Sequence, residues 1–181
     1  FIIFFFCNIM LDLIAKIISV VPFFFFIFLG IINTYLLFTD FIKFKRLFLY
    51  MLGIFSATIF SESIKKGITP PKWLRHIWYR PKGAKGCDYL SIKGYAPEFT
   101  PGFPSGHMST TSYFVSYNIY KLLERSNTYN RNMYISINLL ILIAMGWARM
   151  QKKCHTFIQV AGGSIFGSII GYVFYTFDKY I

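Results

Sequence analysis

Five apolar runs, each close to the length of a bilayer crossing, leave this chain little choice of solvent. A spanning helix needs roughly 20 mostly apolar residues, and such windows fall at 17–39, 47–64, 107–123, 132–148 and 156–177. With 55% hydrophobic and 14% charged residues among 181, polar surface is too scarce to cover a water-soluble globule. The same figures exclude disorder, collagen and a coiled coil, and three cysteines cannot all pair in a disulfide scaffold. The expected fold is all-α. It is a polytopic transmembrane bundle of about five spanning helices, with residues 1–181 as one domain and a long interfacial loop at 65–106.

The windows differ in quality. The first carries no charge, and its Pro22 is tolerable in a bilayer protein. The second holds only Glu62, one turn from Lys65 and Lys66, which can accept its charge at the interface. The third is rich in Ser and Thr, whose hydroxyls can bond back to the preceding turn. Hydropathy alone therefore leaves the count at four to five. Residues 1–9 are too few to span. Translation can begin at Met10, or the chain is a fragment; no small-residue pattern marks a cleaved signal peptide.

Six of the seven prolines lie between Pro70 and Pro104, among glycines and eight basic residues counted from Lys65. Loops much beyond about 15 residues tend to be functional or disordered. Trp73, Trp78, Tyr79 and Tyr89 predict a loop docked on the membrane surface, with its rings at headgroup depth. The net charge of +12 raises the question of nucleic acid. However, the Lys and Arg residues gather between apolar runs rather than along one face, so no nucleic-acid partner is expected. Phosphate or anionic lipid fits better.

The loop ends in Phe103-Pro104-Ser105-Gly106-His107 and runs straight into an apolar helix. A helix start leaves backbone N–H groups unbonded and carries partial positive charge, and Gly106 lets an anion approach closely. Ser105 adds a hydroxyl, and His107 can deliver a proton. The bland alternative is a Ser N-cap beside a bystander His. A second His, His155, follows Arg149 and lies one turn before Gln159, whose oxygen can accept the Nδ1 proton and leave Nε2 as a nucleophile. Its alternative is an interfacial His among basic anchors, with Arg149 a routine snorkelling residue. Arg80, extended by Pro81, can fork onto two phosphate oxygens or simply face anionic headgroups. Parity links the three features: the helix from His107 leaves the loop's side and the next returns to it, so Arg149 to His155 emerge beside the loop.

These residues resemble the type 2 phosphatidic acid phosphatase superfamily of membrane lipid phosphatases, whose signatures are K-x6-R-P, P-S-G-H and S-R-x5-H-x3-D. The second matches in full at Pro104, Ser105, Gly106 and His107. The third matches at Arg149 and His155, with Ala148 for the usual Ser and Gln159 for the usual Asp. Gln there looks like the dolichyl diphosphatase branch. The first keeps Arg80-Pro81, but Trp73 stands at the lysine position; Lys72 is one residue out of register, and Lys65 follows an apolar helix as the family lysine does. Lys65 is favoured. A fainter resemblance is to uncharacterised relatives in large DNA viruses.

The resemblance implies phosphoryl transfer through a phosphohistidine on His155, with His107 as acid and then base and Gln159 orienting His155. Lys65 or Lys72, Arg80, Arg149 and the Ser105-Gly106 amides would hold the phosphoryl oxygens. The substrate would be a lipid phosphate or diphosphate, other partners membrane lipids, and self-association is left open. No cofactor or metal is implied, because seven acidic residues include no carboxylate cluster. Cys87 and Cys154 fall on the site's side; they pair if that side is oxidising, or are small buried residues. Eleven Lys and Arg on that side against seven on the other would place it in the cytoplasm, whereas relatives usually face the lumen or exterior, as in the endoplasmic reticulum, a plasma membrane or a viral membrane. Gly163, Gly167 and Gly171 predict a close helix contact. The rival reading is a catalytically inactive lipid- or anion-binding protein of the same fold, motivated by Ala148, Gln159 and the displaced lysine.

Overall fold

A computed structural model describes residues 2–87, 94–124 and 128–181. Among them run α1 (Ile2–Thr39), α2 (Phe41–Gly67), the short α3 (Arg75–Trp78), α4 (Gly106–Leu123), α5 (Thr128–Gln151) and α6 (Phe157–Asp178), with a 3-10 turn at Lys72–Leu74. Asp88 and Tyr89 lie outside the described residues.

Helices α1, α2, α5 and α6 are long and apolar enough to cross a membrane. Their bounds contain the windows at 17–39, 47–64 and 132–148 and nearly all of 156–177. The first helix differs most from expectation, because 38 residues at about 1.5 Å each reach about 57 Å. The residues before the window extend the helix instead of ending it: Asp12 and Lys16 pair at 3.1 Å across one turn and neutralise each other. Asp40 then turns the chain, its side chain accepting from the Lys43 N–H at 3.1 Å to cap α2.

The third window, α4, is too polar to qualify on composition, and its place in the bundle explains why. Most of its residues are buried by the other helices, so few face lipid. It runs antiparallel to α2, with Tyr113 Oη donating to the Tyr50 carbonyl at 2.8 Å and Thr110 3.2 Å from Thr58. Its hydroxyls bond back as expected: Ser109 to Ser105 O and Thr110 to Gly106 O, each at 3.1 Å. Large apolar side chains point outward instead, such as Phe28 and Ile31 on α1 and Ile143 on α5. Hydroxyls inside and hydrocarbon outside is the arrangement a lipid solvent favours.

Helices α4 and α6 run parallel, and the glycine stripe is their seam. A Cβ on Gly163 would meet the Ser105 carbonyl oxygen at 2.5 Å, and one on Gly167 or Gly171 would collide with Ser109 O or Ser116 Oγ. Ser112 Oγ reaches across to Ser164 O at 2.7 Å. We predict that Gly167→Val costs about 1–3 kcal/mol through overpacking, read as a lowered unfolding midpoint in detergent; an unchanged midpoint would refute the seam.

The aromatic core, including Tyr50, Tyr113, Tyr117 and Tyr175, lies towards the C-terminal end of α4. The opposite end, where α2 and α5 finish and α4 and α6 begin, carries the loop. That loop is not simply laid on the membrane. Trp78 is buried against Phe103 with ring centroids 5.6 Å apart, and Tyr79 packs edge-on to Phe99, while Trp73 is 72% exposed. Strand-like pairing of residues 78–80 with 100–102 folds the loop back on itself and draws Trp78 inward.

Candidate active site

At the loop end of the bundle, a cavity of about 370 Å³ is lined by Glu62, Lys65, Arg80, Gly106, His107 and His155, with Cys87 and residues of the 94–100 segment. The three sequence features expected on one side thus meet around one space.

His155 sits in the turn between α5 and α6, and its Nδ1 is 3.2 Å from Gln159 Oε1. The orientation of the Gln159 amide determines the imidazole's tautomer. Gln159 Nε2 donates to the carbonyls of Ile77 and Tyr79, both at 2.8 Å, which fixes Oε1 on the His155 side. An oxygen can only accept, so Nδ1 carries the proton and Nε2 keeps its lone pair. Oε1 also accepts from Thr156 N–H, closing a capping box on α6. Burial first, and then the charges of Arg149, Arg80 and Lys65, hold the His155 imidazole well below its usual range, with the Gln159 bond pulling the other way. It is therefore neutral at physiological pH.

The Gln159 backbone carbonyl also accepts from Ser105 N–H at 3.0 Å. One residue thereby joins the starts of α4 and α6 to the segment carrying Arg80. This bond also corrects an expectation, because the Ser105 amide is already engaged; what Ser105 can offer is its hydroxyl. It stands at the N-cap of α4 without capping it, and its Oγ is buried with no hydrogen-bond partner among the described residues. The bland reading of Ser105 as an ordinary side-chain cap does not hold.

Of the two candidate lysines, Lys65 lines the cavity and is buried, whereas Lys72 is exposed on the 3-10 turn. Arg80 N–H bonds to Thr100 O at 3.0 Å and its Nε lies 3.3 Å from Pro101 O, which fixes its backbone within the folded loop. Arg149 is fully buried and does not line the cavity. Its Nη2 donates to the Cys87 carbonyl at 2.9 Å, and Lys152 Nζ donates to Gly86 O at 2.6 Å. Both cations staple the loop to the end of α5, so neither behaves as a snorkelling anchor. Cys87 and Cys154 form a disulfide with Cα atoms 5.4 Å apart beside His155.

In the sequence Glu62 reads only as an interfacial charge, yet it stands in the cavity wall. Its spacing three residues before Lys65 was the available signal. The Ile77 and Tyr79 carbonyls that hold the Gln159 amide are marked by no side-chain pattern.

A neutral imidazole nitrogen, a second imidazole and two cations sharing one cavity can bind an anion and attack it. A family model described as the PAP2 superfamily matches residues 46–181. Lipid phosphate phosphatase epsilon 2, chloroplastic, from Arabidopsis thaliana is 30% identical over 76 residues, covering 41% of this chain. The match spans 27% of that relative's length. No solved structure matches significantly.

Proposed function

The chain belongs to the PAP2 superfamily, and on that premise we propose that it is an integral-membrane phosphatase that cleaves a lipid phosphate or polyprenyl diphosphate through a phosphohistidine, without a metal. The observation that carries this reading is the joint lining of one cavity by His107, His155, Lys65 and Arg80, with Gln159 leaving His155 Nε2 unprotonated. The printed name of the plant relative is in keeping with a lipid phosphate, and Gln159 with the diphosphatase branch.

In the first step Nε2 of His155 attacks phosphorus. A P–N bond forms as the P–O bond to the lipid breaks, and His107 gives its proton to the departing oxygen. Water then attacks the phosphohistidine, His107 takes its proton, and the P–N bond breaks to restore His155. Lys65, Arg80, the Gly106 N–H and the positive end of α4 bear the charge on the phosphoryl oxygens, while Arg149 acts from behind the cavity. Purified protein in detergent micelles, offered a panel of lipid mono- and diphosphates, should release phosphate. Retained phosphate binding with no release from any of them would favour the inactive binding protein instead.

Lys65→Met should raise the KM for lipid phosphate by roughly 10-fold or more, the loss of one charge-assisted bond. Lys72→Met should stay within about twofold, as an exposed charge does. The reverse ranking would reassign the first signature to Lys72.

The Cys87–Cys154 pairing supports a site facing an oxidising compartment, such as the lumen of the endoplasmic reticulum or the outer face of a plasma or viral membrane. Several of the basic residues that argue for the cytoplasm are engaged in the cavity or its walls. By chain entropy, cross-linking positions 67 apart in sequence stabilises by about 4 kcal/mol. Dithiothreitol, or Cys87→Ser, should lower both unfolding midpoint and turnover. Insensitivity of both to reductant would remove this argument for orientation.

A further inference from the structure

The cavity that binds phosphate on the reading above also contains a carboxylate. Glu62 lies one turn before Lys65 on α2, and its Oε1 is 2.5 Å from Lys65 Nζ. Both groups reach the start of α4: a Cβ built on Gly106 would be 3.4 Å from Glu62 Oε1, 3.4 Å from Lys65 Nζ and 3.3 Å from Ser61 Oγ. The carboxylate therefore stands at the positive end of the α4 dipole, where an anion is most favoured. Among the described residues lining the cavity it is the one acidic group.

The two partners are unequally held. The Lys65 side chain is 8% exposed and the Glu62 side chain 42%. Glu62 can rotate towards solvent while Lys65 stays, so an arriving anion can take the ammonium from it. We propose that Glu62 is a resident anion of the phosphate site: it holds Lys65 between turnovers, yields it to the substrate's phosphoryl group, and reclaims it as phosphate departs. This rests on the phosphatase reading. The consequence is a deliberate weakening of ground-state binding, because substrate and product phosphate must both displace a carboxylate. Product phosphate held by Lys65, Arg80 and a helix start would otherwise leave slowly.

A purely structural pair makes the opposite prediction. If Glu62 merely positions Lys65, removing its charge leaves phosphate affinity unchanged or weaker. On the present proposal, Glu62→Gln and Glu62→Ala both lower the inhibition constant of inorganic phosphate, by about fivefold or more, because a like charge has left the anion's surroundings. The experiment measures lipid phosphate hydrolysis by the full chain in micelles with inorganic phosphate as competing inhibitor. The phosphate-induced rise in unfolding midpoint gives a second measure of affinity that survives loss of turnover. Tighter phosphate binding in both variants supports the proposal. Unchanged or weaker binding overturns it, and the phosphatase reading stands if the wild type still turns over. A wild type that neither hydrolyses lipid phosphate nor binds inorganic phosphate overturns both.

Discussion

His155→Ala is expected to abolish lipid phosphate hydrolysis, by at least about 10³-fold, while phosphate binding survives. The size follows from what is lost, since the variant removes the nitrogen proposed to bond phosphorus, whose tautomer Gln159 fixes. Binding survives because Lys65, Arg80 and the start of α4 are untouched. The pH dependence carries the sign of the same argument. Burial disfavours the charged imidazole, and protonation would add a further positive charge among Arg149, Arg80 and Lys65, so the folded protein holds the His155 pKa well below 6.5. The nucleophile is active when unprotonated, and kcat/KM should therefore remain level as pH falls through 6.5, declining only well below it. Turnover retained in His155→Ala would sink the nucleophile assignment. An imidazole NMR resonance titrating near 6.5 that is missing from His155→Ala would show that the ring is not held as the cavity implies.

Gln159 should produce the second large effect, and its variants should separate two duties. Gln159→Leu removes the acceptor that keeps the proton on Nδ1, and a catalytic His free to adopt the wrong tautomer loses roughly 10²–10⁴-fold in kcat. Gln159→Glu keeps an acceptor for His155 but turns an acceptor towards the carbonyls of Ile77 and Tyr79, which now receive two bonds at 2.8 Å. Each buried carbonyl deprived of its donor costs about 1–3 kcal/mol. Gln159→Glu should thus act mainly on stability and, through displacement of the Arg80 segment, on KM. Equal losses of kcat in both variants would mean that Gln159 serves only as packing. A carboxylate in place of the Gln159 amide nitrogen would face two carbonyl oxygens.

Much of this is legible in the amino-acid sequence. Ser105-Gly106-His107 at a helix start, and His155 one turn before Gln159, are local patterns set by helix geometry and the chemistry of backbone termini. Parity added that they share a side, since each apolar run of sufficient length must cross. Hydropathy was a poorer guide to α4, because it measures preference for lipid and α4 is covered by other helices. It was poorer again for α1, where an Asp12–Lys16 pair let the helix run on past a polar stretch.

The one-dimensional chain determined which helices form and which residues arrive at the same face, because hydrophobic length and helical spacing act over a few turns. Only tertiary structure decided that Lys65 and not Lys72 enters the cavity, that the Ser105 amide is already taken, that Cys87 meets Cys154, and that Glu62 stands beside the helix start. Those outcomes depend on how the described part of the loop, residues 68–87 and 94–105, folds back between α2 and α4. Its shape is set by backbone carbonyls from Ile77 to Cys87 meeting Gln159, Arg149 and Lys152, and a carbonyl is present at every residue, so no pattern of side chains announces which will be used.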